Sequence, residues 1–529
     1  MDIKLISDLA TILDKLDILD NKYYLQNAYD ILIKISEELF IILNNELKKY
    51  NWLDLHCLLL DNYSYIFNNM SASNGRENID DAYMLQKLAY FIELNLINKY
   101  EGKNNITECK YRYLFSLTQF LFHLQETRAI INFTKSFKDN DKAKEFKYVD
   151  IDRTRDEIIK FPNSKEYEEQ YKLYKNKYYD NYIIMSFEES KKLFEDYKLT
   201  DTIKEELNVD YFLLNMILKN IEELFSNIKN DKIKSPYKYV LEMSYDEFVF
   251  QIVNKYIGKV NKEHLDNIEN AAKFIILDTE KITYIKGKKE DYLSIDKIQS
   301  RENRFDIKPI IKINDKKIIF SFEAIKIAGQ KWLNCVEEFY FPYDFNIPKS
   351  RDLLYNKLKN EREEKFAKDI ETLLKNIGYA TLSEVYFNKR LNDNTIEYLG
   401  DYDVIAVDNK NNIIILIEAK FIKPSVDISE LLSQQEEYYG RTPYISDKDI
   451  NHKEKLKHHD EKFQRRINYL KDNYKDILPK INLNIDINKE YDIKPYMVFN
   501  RHFKPLFKKL DFEVLSFNEF KEVLENNKI

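Results

Sequence analysis

The sequence predicts a multidomain α+β protein: a mainly helical N-terminal region over 1–235, a mixed α/β middle module over 236–350 and a C-terminal α/β domain over 351–529. Three observations predict it. At 529 residues the chain is longer than one hydrophobic core ordinarily organises. One Pro and two Gly fall before residue 236 against nine and six from it onward, and these residues punctuate helices and build turns. The C-terminal third sets short apolar runs of strand length between stretches of helical periodicity. A composition of 44% apolar and 14% aromatic residues excludes a disordered or collagen-like chain.

In the N-terminal region Ala28, Ile31, Leu32, Ile35, Leu39 and Ile42 recur at helical spacing, as do Leu214, Ile217, Leu218, Ile221, Leu224, Phe225 and Ile228. Both stripes read as core faces. The polar segment 227–237 ends this region. Residues 307–313 and 317–322 then read as two strands around an Asn314-Asp315 turn. Pro342 and Pro348 break the chain again and introduce a charged helix over 354–377. Phe366, Ile370, Leu373, Leu374 and Ile377 share one of its faces, and Gly378 sits where a C-terminal cap belongs. A strand at 382–387 follows. Gly400-Asp401-Tyr402-Asp403 leads into a strand at 404–407, and 408–412 turns the chain into 413–417.

The run 413–417 is apolar on both faces, the mark of a strand in the middle of a sheet, and Glu418-Ala419-Lys420 continues it. Charges at the ends of such strands are costly to place. Alternate strand positions share a face, so Glu418 and Lys420 point one way while Ala419 turns into the core. If the turn pairs the two strands, Asp403 lies beside Glu418. Two converging carboxylates repel each other unless a cation sits between them, and Mg²⁺, or Mn²⁺ in its place, answers that need. The Lys420 ammonium beside it suits activating a water or stabilising a pentacovalent phosphate. The tripeptide alone carries little weight, since Asp2-Ile3-Lys4, Glu46-Leu47-Lys48, Glu108-Cys109-Lys110 and Glu145-Phe146-Lys147 share it. The apolar strand before it and the Asp403 strand before that set Glu418-Ala419-Lys420 apart.

A helix with an inward Glu, then Asp, then Glu-x-Lys at the end of a buried strand resembles the PD-(D/E)XK (restriction-endonuclease-like) nuclease superfamily, over 351–529. The resemblance implies a restriction-endonuclease-like α/β domain and Mg²⁺-dependent hydrolysis of phosphodiester bonds, with DNA ahead of RNA as substrate. It implies that Asp403, Glu418 and Glu363 hold the metal and that Lys420 positions or activates water. Glu363 is preferred to Glu364 because it lies three and seven residues before Phe366 and Ile370. A helix over 427–439 carries the Gln-x-x-x-Tyr spacing of several branches, as Gln434 with Tyr438 or Gln435 with Tyr439; Gln434 is taken as the site residue. Segments 494–499 and 513–517 read as closing strands, with Asn518 starting a last helix. Tyr402 stands where the motif has its Pro, and Asp401 is a supporting or loop residue.

The net charge of -7 does not announce a nucleic-acid binder, so a binding surface must be local. Residues 451–470 carry six Lys/Arg against three Asp/Glu, with His452, His458 and His459. Residues 501–510 carry Arg501, His502, Lys504, Lys508 and Lys509 with Phe503 and Phe507 and no acid. Either stretch suits a phosphate backbone, with aromatic rings for stacking. No phosphate loop, dinucleotide fingerprint or His-Glu-x-x-His motif is present. Cys57, Cys109 and Cys335 are odd in number and far apart, which points to neither disulfides nor zinc and to a reducing, cytoplasmic compartment. No apolar stretch approaches a membrane span, so no membrane partner is expected. The N-terminal helical region suits a sensor, a homo-oligomer platform or a surface for a partner protein. The layout resembles anti-phage defence or restriction effectors. The alternatives are a catalytically silent module binding nucleic acid or protein, and an RNA-cutting nuclease.

Overall fold

A computed structural model describes residues 2–72, 79–134, 148–155, 157–160, 187–225, 232–280, 304–337, 347–391, 399–422, 428–440, 458–506 and 508–526. Helices and three sheets form a mixed α+β architecture of two compact units, the first ending at Asn356 and the second built mainly on the residues from Lys357 onward. The expected boundary near 235 lies inside the first unit, and the one near 350 lies close to its end. No helix among the described residues is long and apolar enough to cross a membrane.

The first unit opens with α1 (Ile3–Lys15), α2 (Leu25–Leu47), α3 (Trp52–Ala72), α4 (Ile79–Asn98) and α5 (Glu108–Thr134), whose residues from Ala129 on belong to the second unit. Asp2 caps α1 by accepting from the Lys4 N–H at 2.9 Å. Along α2, Ala28, Leu32, Ile35, Leu39 and Leu43 are buried, while Ile31 and Ile42 are rotated half out. An antiparallel sheet of β1 (Asn21–Tyr24), β2 (Tyr148–Ile151) and β3 (Ile159–Lys160) interrupts the region read as almost wholly helical. Strands of two to four residues are too short for a period of two to register in sequence.

Four helices follow: α6 (Phe187–Asp196), α7 (Leu199–Leu207), α8 (Tyr211–Lys219) and α9 (Ile221–Leu224). Leu214, Ile217, Leu218, Ile221, Leu224 and Phe225 are buried, although the backbone leaves helical geometry at Asn220; Ile228 lies outside the described residues. The unit continues with β4 (Leu241–Ser244), α10 (Tyr245–Asn254), α11 (Lys262–Phe274), β5 (Ile276–Asp278), β6 (Ile310–Asn314), β7 (Lys317–Phe320), α12 (Phe322–Glu337) and α13 (Pro348–Asp352). The four strands lie in the order β4-β7-β6-β5. The β6–β7 hairpin turns where Asn314 Oδ1 accepts from the N–H groups of Lys316 and Lys317 at 2.9 and 3.0 Å. Phe322, read as strand, instead opens α12.

A π-helical turn, Leu353–Leu358, carries the chain from the end of the first unit into α14 (Lys359–Asn376) of the second. Gly378 ends α14 at φ +101°, where only glycine is unstrained. Its N–H reaches the Lys375 carbonyl and that of Tyr379 the Leu374 carbonyl, the Schellman arrangement. Ile377, read on the inner face, is exposed as the cap turns the chain outward. Then come β8 (Ala380–Val385), α15 (Phe387–Arg390), β9 (Tyr402–Asp408), β10 (Ile413–Lys420), α16 (Ile428–Tyr439), α17 (His459–Ile477), β11 (Asp492–Phe499), β12 (Glu513–Ser516) and α18 (Phe517–Glu525). A full capping box of Ser516 and Glu519 starts α18.

The sheet order is β12-β11-β10-β9-β8, with β8, β9 and β10 antiparallel and β10, β11 and β12 parallel. On one face Phe366, Ala367, Ile370 and Leu374 of α14 and Phe517, Phe520 and Leu524 of α18 pack on Val404, Ala406, Ile413, Ile415, Ile417 and Ala419. The opposite face is met by α16 and α17: the Tyr438 ring lies against Phe499, and Arg466 donates to Glu418 Oε1 at 2.7 Å. Burial on both sides explains the unbroken apolar run of β10.

Candidate active site

The turn between β9 and β10 sets the register that makes the site. Asp408 Oδ1 accepts from the N–H groups of Lys410 and Asn411 at 2.8 and 3.2 Å, and Asn412 takes a left-handed φ of 55°. The ladder then runs from Ile413 opposite Asp408 to Ile417 opposite Val404. One step further along this register stand Glu418 and Asp403. Both side chains point to the face that carries α16 and α17, because Val404 and Ala419, next to them in the chain, belong to the core under α14.

Lys420 Nζ lies 2.7 Å from Glu418 Oε1 and 3.4 Å from Asp403 Oδ2. The Ala419 N–H donates to Asp403 Oδ2 at 2.7 Å. A fourth charge completes the cluster: Arg466 Nη2 on α17 donates to Glu418 Oε1 at 2.7 Å, and its Nη1 donates to the Asp401 carbonyl. Glu418 is 1% exposed, and its Oε2 has no hydrogen-bond partner among the described residues. A buried carboxylate oxygen without a donor is a rare feature and a natural ligand for a cation.

Electrostatics divide the two carboxylates. Burial and the neighbouring Glu418 push the Asp403 carboxyl up to about 7, against the pull of Lys420 and Arg466. Burial works on Glu418 in the same sense, but Lys420 and Arg466 outweigh it and hold that carboxyl below its ordinary value. Burial disfavours the Lys420 ammonium, yet Asp403 and Glu418 raise it above the usual lysine range. Glu418 and Lys420 therefore stay charged near neutral pH.

Two residues frame the cluster from the helices. Tyr438 on α16 stacks on His459, the first residue of α17, at 4.7 Å between centroids. Burial raises the Tyr438 phenol, which also feels Lys420, Glu363 and Glu418. Burial, then Lys420, pulls the His459 imidazolium down to about 3, so the ring is neutral at pH 7.

The other expected site residues are placed less centrally. Glu363 is 36% exposed on its side chain and pairs with Lys359 at 3.7 Å, while Glu364 is exposed. The inward position of that turn belongs to Arg362, whose guanidinium lies over the Phe421 ring at 5.0 Å and so sets this end of α14 at the end of β10. Gln434 is buried on α16 one turn before Tyr438. Gln435 has a bonding role: its side chain donates to the Lys504 carbonyl at 2.9 Å and accepts from the Leu506 N–H at 3.2 Å. The Tyr439 hydroxyl likewise donates to the Phe503 carbonyl at 2.8 Å.

The two basic stretches differ from the surfaces expected of them. Arg501 and Phe503 are buried, Phe503 among Tyr438, Tyr439 and Phe499, so that ring is not offered for stacking. His502 and Lys504 pair with Glu519, and Lys508 pairs with Asp460. Lys504 and Lys508 thus meet carboxylates of the same unit, while Lys504 and Lys509 remain exposed. In the other stretch 451–457 lies outside the described residues, as do Asp427 and Phe507. Arg466, one of the six basic residues counted in 451–470, binds Glu418. Its signal in sequence was weak: a lone Arg on a helix face of mixed charge.

No family model, curated protein or solved structure matches this chain. Among the described residues, no group of three His, Cys, Asp or Glu side chains is gathered to hold a metal ion. Two carboxylates are gathered, and two suffice for Mg²⁺, which usually keeps several waters. The donor-free Oε2 of Glu418 beside Asp403 fits such an ion.

Proposed function

We propose that the second unit is a PD-(D/E)XK-like nuclease that hydrolyses phosphodiester bonds in nucleic acid, with DNA the preferred substrate over RNA. The observation that carries this reading is the meeting of Asp403, Glu418 and Lys420 at the ends of β9 and β10, with one Glu418 oxygen buried and free of donors. Asp403 and Glu418 would hold Mg²⁺ or Mn²⁺. Such an ion, when bound, supplies Lewis acidity toward the phosphate and a more acidic water. Lys420 directs an ammonium at the same point and stabilises negative charge developing on the phosphate. Glu363, at the first turns of α14, orients the attacking water or completes the metal's ligands, and Gln434 helps to position the substrate. The first unit would serve as a sensor or assembly surface, in the manner of defence or restriction effectors, an argument from layout alone.

The test is incubation of the purified full chain with plasmid, linear and single-stranded DNA and with RNA, in Mg²⁺, Mn²⁺ or EDTA. Wild type cuts DNA with either metal and not in EDTA, and Lys420→Ala does not cut. Equal cutting by both proteins overturns the assignment.

One observation favours a second reading, a catalytically silent binding module. Lys420 already pairs with both carboxylates, and Arg466 with Glu418, without any ion. Calorimetric titration with Mn²⁺ separates the two, because a silent site gives no heat that Asp403→Ala removes.

A further inference from the structure

Among the described residues, Arg466 is the cation that reaches from a helix to both strands of the cluster. Its Nη2 donates to Glu418 Oε1 at 2.7 Å, its Nη1 donates to the main-chain carbonyl of Asp401, and Nη1 stands 3.9 Å from the Asp401 carboxylate. Asp401 is two residues before Asp403. The Arg466 carbonyl in turn accepts from the Tyr402 hydroxyl at 3.3 Å. One residue of α17 is thus tied to the end of β10 and to the start of β9. Its side chain is 6% exposed, so these bonds are shielded from water and are stronger for it.

The two cations on Glu418 share one oxygen. Lys420 Nζ and Arg466 Nη2 both sit at 2.7 Å from Oε1, and Oε2 receives no donor. A carboxylate held through one oxygen by two charged donors cannot rotate freely about its last torsion, and its second oxygen then keeps a single direction. We propose that Arg466 is a positioning residue of the metal site, which orients Glu418 by Oε1 so that Oε2 is the metal-binding oxygen. This rests on the reading of the site as a metal-dependent nuclease. Charge alone argues the other way, since a guanidinium beside the site repels a divalent ion. The sign of the effect therefore decides between orientation and charge.

The experiment is calorimetric titration of the metal-free full chain with Mn²⁺, comparing wild type, Glu418→Ala, Arg466→Gln and Arg466→Lys, with a thermal melt of each. Arg466→Gln weakens Mn²⁺ binding about ten- to hundredfold, the usual cost of losing a group that orients a ligand. Arg466→Lys, which keeps one charged donor, recovers part of the loss. In cleavage assays the loss falls on kcat more than on KM. Tighter binding by Arg466→Gln, or a lowered melting temperature with unchanged Mn²⁺ affinity, overturns the proposal while leaving the nuclease reading in place. Wild type that binds no Mn²⁺, or binds it as well after Glu418→Ala, removes both.

Discussion

The N–H of Ala419 donates to Oδ2 of Asp403 at 2.7 Å, so a side chain of β9 takes the place of a ladder bond just where the main-chain pairing with β10 ends. The bond fixes the Asp403 carboxylate against the strand that bears Glu418 and Lys420. Buried cations on both sides then make the cluster close to neutral.

Removing Lys420 unbalances it. In Lys420→Ala, Glu418 keeps Arg466, but Asp403 loses its ammonium and the two carboxylates face each other. Loss of one partner of a buried pair costs on the order of 3 kcal/mol. Urea unfolding of the metal-free variant shows that loss, and Mn²⁺ returns part of it while cleavage stays absent. Insensitivity of the variant's stability to Mn²⁺ counts against a cation site here.

Glu363 and Glu364 are told apart by function rather than stability. Glu363 pairs only loosely with Lys359, at 3.7 Å, and Glu364 with Lys368 at 3.9 Å; such exposed helix pairs are worth about 0.5 kcal/mol or less. Both Gln variants therefore melt close to wild type. Cleavage falls about tenfold or more in Glu363→Gln and is unchanged in Glu364→Gln. Equal rates in the two variants remove Glu363 from the site.

Gln435 is a prediction about folding. Its amide satisfies the Lys504 carbonyl and the Leu506 N–H, and Gln435→Ala strips both of their partner. These bonds are half-buried, so their loss costs about 1 kcal/mol, read as a lower midpoint in urea unfolding. An unchanged midpoint means that the 504–506 segment is held by other bonds.

His56 gives the first unit an acid sensitivity. It is fully buried, neither ring nitrogen has a hydrogen-bond partner among the described residues, and burial lowers its imidazolium from 6.5 to about 3. Below pH 6.5 the unfolded chain takes up a proton that the folded ring refuses. Stability therefore falls as pH drops, by about 1.4 kcal/mol per unit over that window, and the penalty is absent at higher pH. The ring packs edge-on against Phe305, so His56→Phe keeps the contact and removes the proton site. Urea unfolding at pH 5 and pH 7 shows a smaller difference for the variant; an equal difference assigns the acid sensitivity elsewhere.

What could be read ahead of the coordinates followed from short-range rules. The cap at Gly378, the Asx turn at Asn314 and the strand at 413–417 each depend on a few adjacent residues, and each is present. The three-stranded sheet within the N-terminal helices was not readable, because its strands are four residues or fewer and β1 meets β2 across more than a hundred residues. The 501–510 segment differs from the open surface expected of it for a similar reason: composition shows that Lys504 or Lys508 is charged, not that Glu519 or Asp460 waits in the fold to pair with it.

Alternation along β10 and the turn before it decided, from the sequence by itself, that Asp403, Glu418 and Lys420 would converge, since side chains two apart share a face and a tight turn sets register. Tertiary packing alone decided what meets them. Arg466 lies 48 positions beyond Glu418 and on another element, and Arg362 rather than Glu363 takes the inward place on α14. Such choices depend on how helices settle on a sheet, a matter of shape and of burying charge beside its counter-charge, and no local pattern of residues encodes the pairing.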